Sequence, residues 1–416
     1  MYQLIERLYP ICRSITGDGV RETLGILGEF IPLETFEVPT GTAVFDWVVP
    51  REWNIRDAFI RDMLGNRVVD FRQSNLHVVN YSVPVKGKMA LEDLKDHLFT
   101  LPENPDWIPY RTSYYNESWG FCLSHNTLQA LTDSEYEVCI DSTLTDGHLT
   151  YGECYLEGSS TDEILIFTHT CHPSLCNDNL SGIAVAAHLA NYLNGKSTRY
   201  SFRFVFAPGT IGSITWLHQN QNRLEKIRHG LIVARVGDPG PQTYKCSRMG
   251  DAEIDRAAAH ILERGGEEAN ILEFSPYGYD ERQFGSPGIN LPVGRLTRSP
   301  NSAYPEYHTS ADNLALVSAD RLADSFEACL KIIDVLERNR CYTNTSPQCE
   351  PQLGKRGLYR KAGGQKDIGG REFALLWVLN QSDGEHSLLD IAQRSGIRFD
   401  AIADAADELR EAGLLV

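Results

Sequence analysis

Apolar positions change their period along the chain, and those changes divide it into regions. Met1–Ile31 reads as two short helices broken at Gly17-Asp18-Gly19. From about Phe45 to Gly120, β-branched and aromatic runs (Val48-Val49-Pro50, Val68-Val69-Asp70-Phe71, Leu76-His77-Val78-Val79) are interrupted by turn residues every few positions. That texture predicts a small β-rich module. From about Tyr136 to Glu337 short apolar runs alternate with helical spacing. Ile164-Leu165-Ile166-Phe167 predicts a buried strand, and Ser181–Leu193 a helix carrying Ile183, Ala184, Ala187, Leu189 and Ala190 on its inner face. Phe202–Ala207 and Gly230–Val236 predict further strands; Ile211–Ile227, Asp251–Arg264 and Ala319–Leu336 predict further helices. Such alternation predicts an α/β fold, a mostly parallel sheet with helices on both faces. Functional side chains are then expected at the carboxyl ends of the strands.

Beyond Arg338 the pattern lapses into polar, Gly- and Pro-containing sequence without period, expected to be a linker over residues 346–370. A second, smaller pattern follows over residues 371–416. A helix at Glu372–Leu379 precedes Ser387-Leu388-Leu389-Asp390, which has the form of a capping box. After the Ser395-Gly396 turn comes a third helix from about Asp400 to Ala412, and Gly413-Leu414-Leu415-Val416 is expected to begin a wing strand. This is the spacing of a winged helix. The remaining boundaries follow: an inserted β-rich domain at 45–119 inside a discontinuous domain formed by 1–44 and 120–345.

Charge narrows the function classes. The chain has 416 residues and a formal net charge of −17, which repels phosphate backbones and anionic lipid surfaces. In Lys355–Val416 nine basic residues meet ten acidic ones, and the third helix sets Asp400, Asp404, Asp407, Glu408 and Glu411 against Arg410. An acidic helix does not suit a phosphate-lined groove. The expectation is therefore no nucleic acid and no membrane partner, with the winged helix serving a protein partner or homo-oligomer. No stretch has the eighteen or so apolar residues of a membrane span. The start of the sequence shows no basic region followed by an apolar run, which reads against a secretory signal. Ten cysteines without a Cys-x-x-Cys pair fit a reduced, cytoplasmic compartment better than a disulfide scaffold.

The densest candidate chemistry is Thr168-His169-Thr170-Cys171-His172-Pro173-Ser174-Leu175-Cys176-Asn177-Asp178-Asn179-Leu180-Ser181-Gly182. It leaves a predicted strand and enters a predicted helix, placing two histidines and an acid on one loop. Imidazole and carboxylate are the ligands zinc takes outside thiolate sites. The plainer reading is a polar loop whose Asp178 or Asn179 caps the next helix. A second cluster, Tyr304-Pro305-Glu306-Tyr307-His308-Thr309-Ser310-Ala311-Asp312-Asn313, again sets a histidine among acids and a tyrosine. Asp280-Glu281-Arg282-Gln283-Phe284 adds three charges in a loop rich in small residues. Solvated loop charge is the simpler account of Glu281 or Glu306 taken alone.

These runs resemble a known group. Asp178-Asn179-Leu180-Ser181-Gly182 is similar to the Asp-Asn-x-Ser-Gly of the zinc aminopeptidase clan that contains bacterial leucine aminopeptidases and glutamate carboxypeptidase. Tyr307-His308-Thr309 resembles its Tyr-His-Thr ligand motif. The ordered set from His172-Pro173-Ser174-Leu175 through Thr210-Ile211-Gly212-Ser213 and Asp280-Glu281-Arg282-Gln283-Phe284 to Tyr307-His308-Thr309-Ser310 is closer still to one bacterial family. That family has an inserted small domain and a C-terminal winged helix, and its members are often labelled polysaccharide-biosynthesis proteins. The resemblance implies a zinc-dependent hydrolase of an amide or peptide bond in a small biosynthetic substrate. It implies His172, Asp178 and His308 as metal ligands, with His169 the alternative to His172. Two imidazoles and one carboxylate leave an open position on zinc. Tyr307 is expected to donate to an oxyanion, and Asp280 and Arg282 to hold a substrate terminus.

Two departures qualify this. The clan has paired glutamates after the strand matching Phe202–Ala207, and here Pro208-Gly209-Thr210 follows. Gly209 thus stands at the general-base position and Thr210 where a second metal's ligand is expected. Ala234-Arg235-Val236-Gly237 likewise lacks an expected aspartate. The expectation is one metal rather than two, with Glu281 or Glu306 as substitute base acting through a water. A loop at a strand end is also expected to leave room at 209, so that Gly209→Glu would raise turnover. The other reading is a catalytically inactive homologue that binds a ligand or partner.

Overall fold

The computed structural model describes residues 1–266, 268–358 and 369–416. Two compact units are formed, one by Met1–Asp255 with Glu268–Glu327, the other by Arg256–Glu267 with Ala328–Val416.

The first unit is built on an eight-stranded mixed sheet. Its centre is four parallel strands in the spatial order Ser201–Ala207, Glu163–His169, Ile227–Val233 and Val293–Thr297. Strands Glu163–His169 and Ser201–Ala207 are buried at every position, as expected of parallel strands covered on both faces. Helices Gly182–Leu193 and Ile211–Gln219 follow two of them. The helix predicted to reach Ile227 instead ends at Gln219 and continues as a 3₁₀ stretch, Gln221–Lys226. Antiparallel strands Glu34–Pro39 and His148–Leu156 extend one side of the sheet. Gln242–Lys245 pairs antiparallel with Val293–Thr297 on the other.

Within the sheet, Arg203 is nearly fully buried. It chelates Glu163 through Nε and Nη2 (2.7 and 2.9 Å) and reaches Glu153 through Nη1 (2.6 Å). Glu153 also accepts the indole N–H of Trp216 at 2.9 Å. Pairing of this quality is what a buried charge needs.

The β-rich module carries a four-stranded sheet in the order Arg67–Asp70, Glu52–Arg61, Glu135–Thr145, Val85–Ala90. One of its strands, Glu135–Thr145, lies beyond residue 119, so the module's sheet extends past the expected insert 45–119. That strand alternates buried and half-buried positions, the period-2 signal that short aromatic runs elsewhere obscure.

The second unit holds helices Gly370–Gln381, Leu388–Ser395 and Phe399–Glu411. Ser387 and Asp390 form a reciprocal capping box at the start of the second helix, and Gly396 ends it at φ 73°, a left-handed position that favours glycine. The wing strand expected at Gly413–Val416 does not form as a strand: Leu415 makes an isolated bridge to Asn344 and Val416 hydrogen-bonds Thr343, while Cys341–Thr343 pairs with Asp383–Ser387. Of the expected linker, residues 359–368 lie outside the described residues. Leu353 and Leu358 in the described part are buried. Among the described residues no helix is long and apolar enough to cross a membrane.

Candidate metal centre

Two parallel strands end side by side and deliver the core of the site. His169 is the last residue of Glu163–His169, and Arg235 lies two residues past Ile227–Val233. Asn179 ties them together: its amide donates to Thr168 Oγ1 (2.8 Å) and the His169 carbonyl (3.0 Å), and its Oδ1 accepts the Arg235 N–H (3.0 Å). Asp312 fixes the turn that carries Asp178. Its carboxylate accepts the backbone N–H groups of Asn177 (2.6 Å) and Asp178 (3.0 Å) and the Tyr304 hydroxyl (3.2 Å). Burial raises the Asp312 carboxyl to about 7.

Asp178 is 1% exposed and divides its two oxygens between two environments. Oδ1 lies 2.8 Å from His169 Nε2 and 3.5 Å from Arg235 Nη1. Oδ2 lies 3.2 Å from His308 Nε2 and 4.0 Å from His172 Nε2. Burial works to raise this carboxyl, but the cationic and imidazole groups around it outweigh that and hold it well below the usual range. His172 is pushed the other way by burial, well below an ordinary imidazole, so neutral nitrogen faces ionised oxygen. His308 Nε2 is buried and makes no hydrogen bond. Bonds of 2.0–2.2 Å from one tetrahedral zinc would set ligand atoms about 3.3 Å apart. The spacings around Oδ2 bracket that value, and an unpartnered buried imidazole nitrogen aimed at a carboxylate is the donor such an ion takes. Among the described residues, the group whose ligand atoms all lie within 4.8 Å of one another is His169, His172 and Asp178; His308 stands outside that group and approaches it through Asp178 Oδ2. His169 and His172 therefore flank the same carboxylate on its opposite oxygens.

The backbone is strained here. Thr210, Arg235 and His308 adopt φ of 59°, 52° and 56°, left-handed values that cost energy outside glycine and gather at functional sites.

A cavity of about 320 Å³ opens over Asp178. His172, Asp178, Arg235, Tyr279, Tyr307 and His308 form its floor and one wall, and Tyr110, Arg111, Thr112 and Tyr114 of the β-rich module form the other. The module is held there by hydrogen bonds from Tyr110 N–H to the His308 carbonyl (2.8 Å) and from the Ile108 N–H to Ser310 Oγ (3.0 Å). Tyr307 stacks on the His308 ring at 3.9 Å between centroids. Burial raises its phenol, which keeps it a hydrogen-bond donor.

Other expected site residues are placed elsewhere. Glu281 is locked beneath the site: Oε1 accepts Lys245 Nζ (3.0 Å) and Arg295 Nη1 (2.8 Å), and Oε2 accepts the Tyr279 N–H (3.1 Å). It does not line the cavity, and a carboxylate so paired is poorly placed to accept a proton. Glu306 is half-exposed and Arg282 exposed, and neither lines the cavity. Asp280 is buried and holds the Thr210 N–H and Ser213 Oγ, each at 2.8 Å, with Oδ2 3.8 Å from His169 Nδ1. It supports the loop and the His169 ring from behind.

Position 209 is not open. A Cβ built on Gly209 would fall 2.1 Å from Tyr279 Cε1 and 2.2 Å from its hydroxyl oxygen. The expected room for a glutamate is filled by the Tyr279 ring, whose hydroxyl sits 3.3 Å from Cys171 Sγ. The expectation that the loop leaves room for a side chain at 209 is thereby corrected. Sequence reasoning overlooks Tyr279, the wall formed by Tyr110 and Tyr114, and Asp312 as a backbone anchor. Tyrosines at 110, 114 and 115 within the predicted module are the one available signal.

Comparison with known proteins gives a consistent picture. Residues 2–339 match a family model described as a domain of unknown function, DUF4910, and residues 340–416 a winged helix-turn-helix model. A Clostridium acetobutylicum protein, named as a polysaccharide biosynthesis protein with an aminopeptidase-like domain, is 55% identical over 415 residues, covering 100% of this chain and 95% of that one. A crystallised candidate peptidase from Clostridium acetobutylicum superposes with a TM-score of 0.95 at 53% identity, over 100% of this chain and 95% of that one. The zinc aminopeptidase BSAP of Bacillus subtilis superposes with a TM-score of 0.58 at 12% identity, over 80% of this chain and 93% of that one.

Proposed function

Because the chain belongs to the DUF4910 family, an aminopeptidase-like fold joined to a winged helix, we propose that it is a single-zinc, aminopeptidase-like hydrolase acting on an amide or peptide bond of a small biosynthetic substrate. The observation that carries this reading is the division of Asp178. Oδ2 faces His308 and His172, which would hold the ion, while Oδ1 is occupied by His169 and the Arg235 guanidinium. A fixed cation in that second place leaves no room for another metal. Zinc in such a site supplies a Lewis acid that polarises a carbonyl.

The chain's own residues supply the rest. Asp312 fixes the backbone at the metal-facing turn through the Asn177 and Asp178 N–H groups, so the Asp178 carboxylate is oriented before any ligand arrives. Tyr307, whose ring stacks on His308, would donate its phenol O–H to developing negative charge on a substrate oxygen. The aromatic wall from the β-rich module narrows access by water. What the cavity lacks, among the described residues, is a free carboxylate to take a proton, because Glu281 is ion-paired and Tyr279 fills the place above Gly209. Positioned acid–base groups contribute roughly 10²–10⁴-fold, so slow turnover is expected.

That same observation favours a second reading, a homologue that binds its ligand without cleaving it. The two separate experimentally. Zinc-loaded protein is assayed on a panel of aminoacyl and N-acylated amides beside His308→Ala. Turnover that tracks zinc and is lost in the variant supports the hydrolase. Saturable ligand binding with no turnover gives the binding protein; failure to retain zinc overturns the hydrolase, and failure to bind any member of the panel overturns the binding protein. The winged helix is read as a protein-interaction element rather than a DNA reader, since Asp404 and Asp407 engage Arg338 and Glu408 engages Arg371 on an otherwise acidic helix.

A further inference from the structure

Building on the reading of this cavity as the substrate site, we infer that it selects a ligand bearing a carboxylate rather than a free amino terminus, and that Arg235 makes the selection. An ammonium group leaves water only where carboxylates or several carbonyls receive its three N–H bonds. Among the described residues Asp178 is the sole carboxylate lining the cavity. One of its oxygens lies against His169 and Arg235, and the other faces the His308 and His172 nitrogens with which it would hold the ion. The nearby acids Glu281 and Asp280 are turned to Lys245, Arg295 and the Thr210 loop. Among the described residues no free carboxylate is left in the cavity lining to receive an α-ammonium.

Two arginines line the same space, Arg235 on the floor and exposed Arg111 at the module's edge. Arg235 is 1% exposed, and a guanidinium carries five N–H donors in one plane. Its Nη2 donates to Asn301 Oδ1, Nη1 stands 3.5 Å from Asp178 Oδ1 at the long limit of a hydrogen bond, and Nε has no partner. A buried guanidinium with most of its donors unused is matched by a planar anion that accepts two at once, which a carboxylate does. The lining tyrosines, Tyr110, Tyr114, Tyr279 and Tyr307, are neutral and add no acidic charge to the cavity. The chain's net charge of −17 opposes anions at long range, so this preference is built into the pocket itself. The substrate class is an N-acylated amino acid or related carboxylate-bearing amide, with its carboxylate on Arg235.

The test is calorimetric titration of the zinc-supplemented full chain with two matched probes. N-acetylglycine carries a carboxylate and no amine; glycinamide carries an ammonium and no carboxylate. N-acetylglycine is expected to bind at least tenfold more tightly. Arg235→Gln should lose at least tenfold of that affinity, while Arg235→Lys, which keeps a charge, retains part of it. Thermal melts check that each variant folds. If Arg235→Gln does not, the probe preference of the unmodified chain and the Arg235→Lys result decide. Equal or tighter binding of glycinamide, unchanged N-acetylglycine affinity in Arg235→Gln, or no binding of either probe at millimolar concentration overturns the inference. Zinc content is measured on the same samples. Zinc retained with an ammonium preference overturns this inference alone, whereas a carboxylate preference without zinc overturns the metal reading alone.

Discussion

Replacing Gly209 by alanine tests whether the general-base position is closed. The new Cβ would lie 2.1 Å from Tyr279 Cε1, 2.2 Å from its hydroxyl oxygen and 2.3 Å from Cζ. Carbon contacts settle at about 3.5–4.0 Å, so the ring must retreat by more than about 1 Å. Its backbone is anchored by the hydrogen bond from the Tyr279 N–H to Glu281 at 3.1 Å. Retreat would also pull its hydroxyl from Cys171 Sγ, which the Gly209 N–H approaches at 3.2 Å. Overpacking of this kind costs about 1–3 kcal/mol. Against it stands the loss of glycine's freedom in the unfolded chain, worth about 0.4–1 kcal/mol to the folded state. That gain is available here because Gly209 is absent from the glycines with positive φ. Crowding wins, and Gly209→Ala should destabilise by about 1–2 kcal/mol. In thermal unfolding this is a fall of about 2–4 °C for a large domain. The decisive arm is the Tyr279→Ala background, where the crowding atoms are gone and only the entropic gain remains. There the same substitution should be neutral or stabilising. Equal destabilisation in both backgrounds, or none in either, would refute the account of a filled position.

Three further predictions follow from other parts of the structure. Asp312→Asn keeps one acceptor oxygen but loses the second of the two that hold the Asn177 and Asp178 N–H groups; zinc affinity measured by chelator competition should fall about 10–100-fold, and an unchanged affinity would remove Asp312 from the account. Arg203→Met leaves the carboxylates of Glu153 and Glu163 uncompensated in the sheet, so stability should fall by about 3–5 kcal/mol, with a loss under about 1 kcal/mol in denaturation counting against it. Burial lowers the His229 imidazole from its usual range to about 4. The folded state therefore resists a proton that the unfolded chain accepts near about pH 6.5. Stability from this group is intact above about pH 6.5 and is lost as pH falls towards about 4, up to about 3 kcal/mol. His229→Asn should show a shallower loss of melting temperature between about pH 7 and about pH 4.5, and parallel curves would contradict the assignment.

Much of this is legible in the chain because the dominant signals are local. Parallel strands buried on both faces read as apolar runs, which is why the Glu163, Ser201 and Ile227 strands follow from the sequence to within a few residues. The capping box at Ser387 and Asp390 is visible for the same reason, since its partners are three residues apart. Strand Glu135–Thr145 carries its own period-2 alternation, but its partner Glu52–Arg61 is some eighty positions away in the chain, and pairing at that range leaves no local mark. The site divides along the same line. His169, His172, Asp178 and His308 stand in recognisable runs, and the structure brings all four to one place. Glu281 looks available because a lone acid in a loop shows nothing of Lys245 and Arg295, which arrive from two other strands. Position 209 looks open because the ring that fills it comes from residue 279. Arg235 reads in the sequence only as a missing aspartate, when it is a buried cation facing Asp178.

The most direct measurement is metal stoichiometry by native mass spectrometry of the full chain, with His308→Ala beside it. The account predicts about one zinc per chain, bound at the Oδ2 side of Asp178 and lost in the variant, with the Arg235 guanidinium excluding a second. Two zinc ions per chain, or zinc retained at full occupancy after removal of the His308 imidazole, would contradict it.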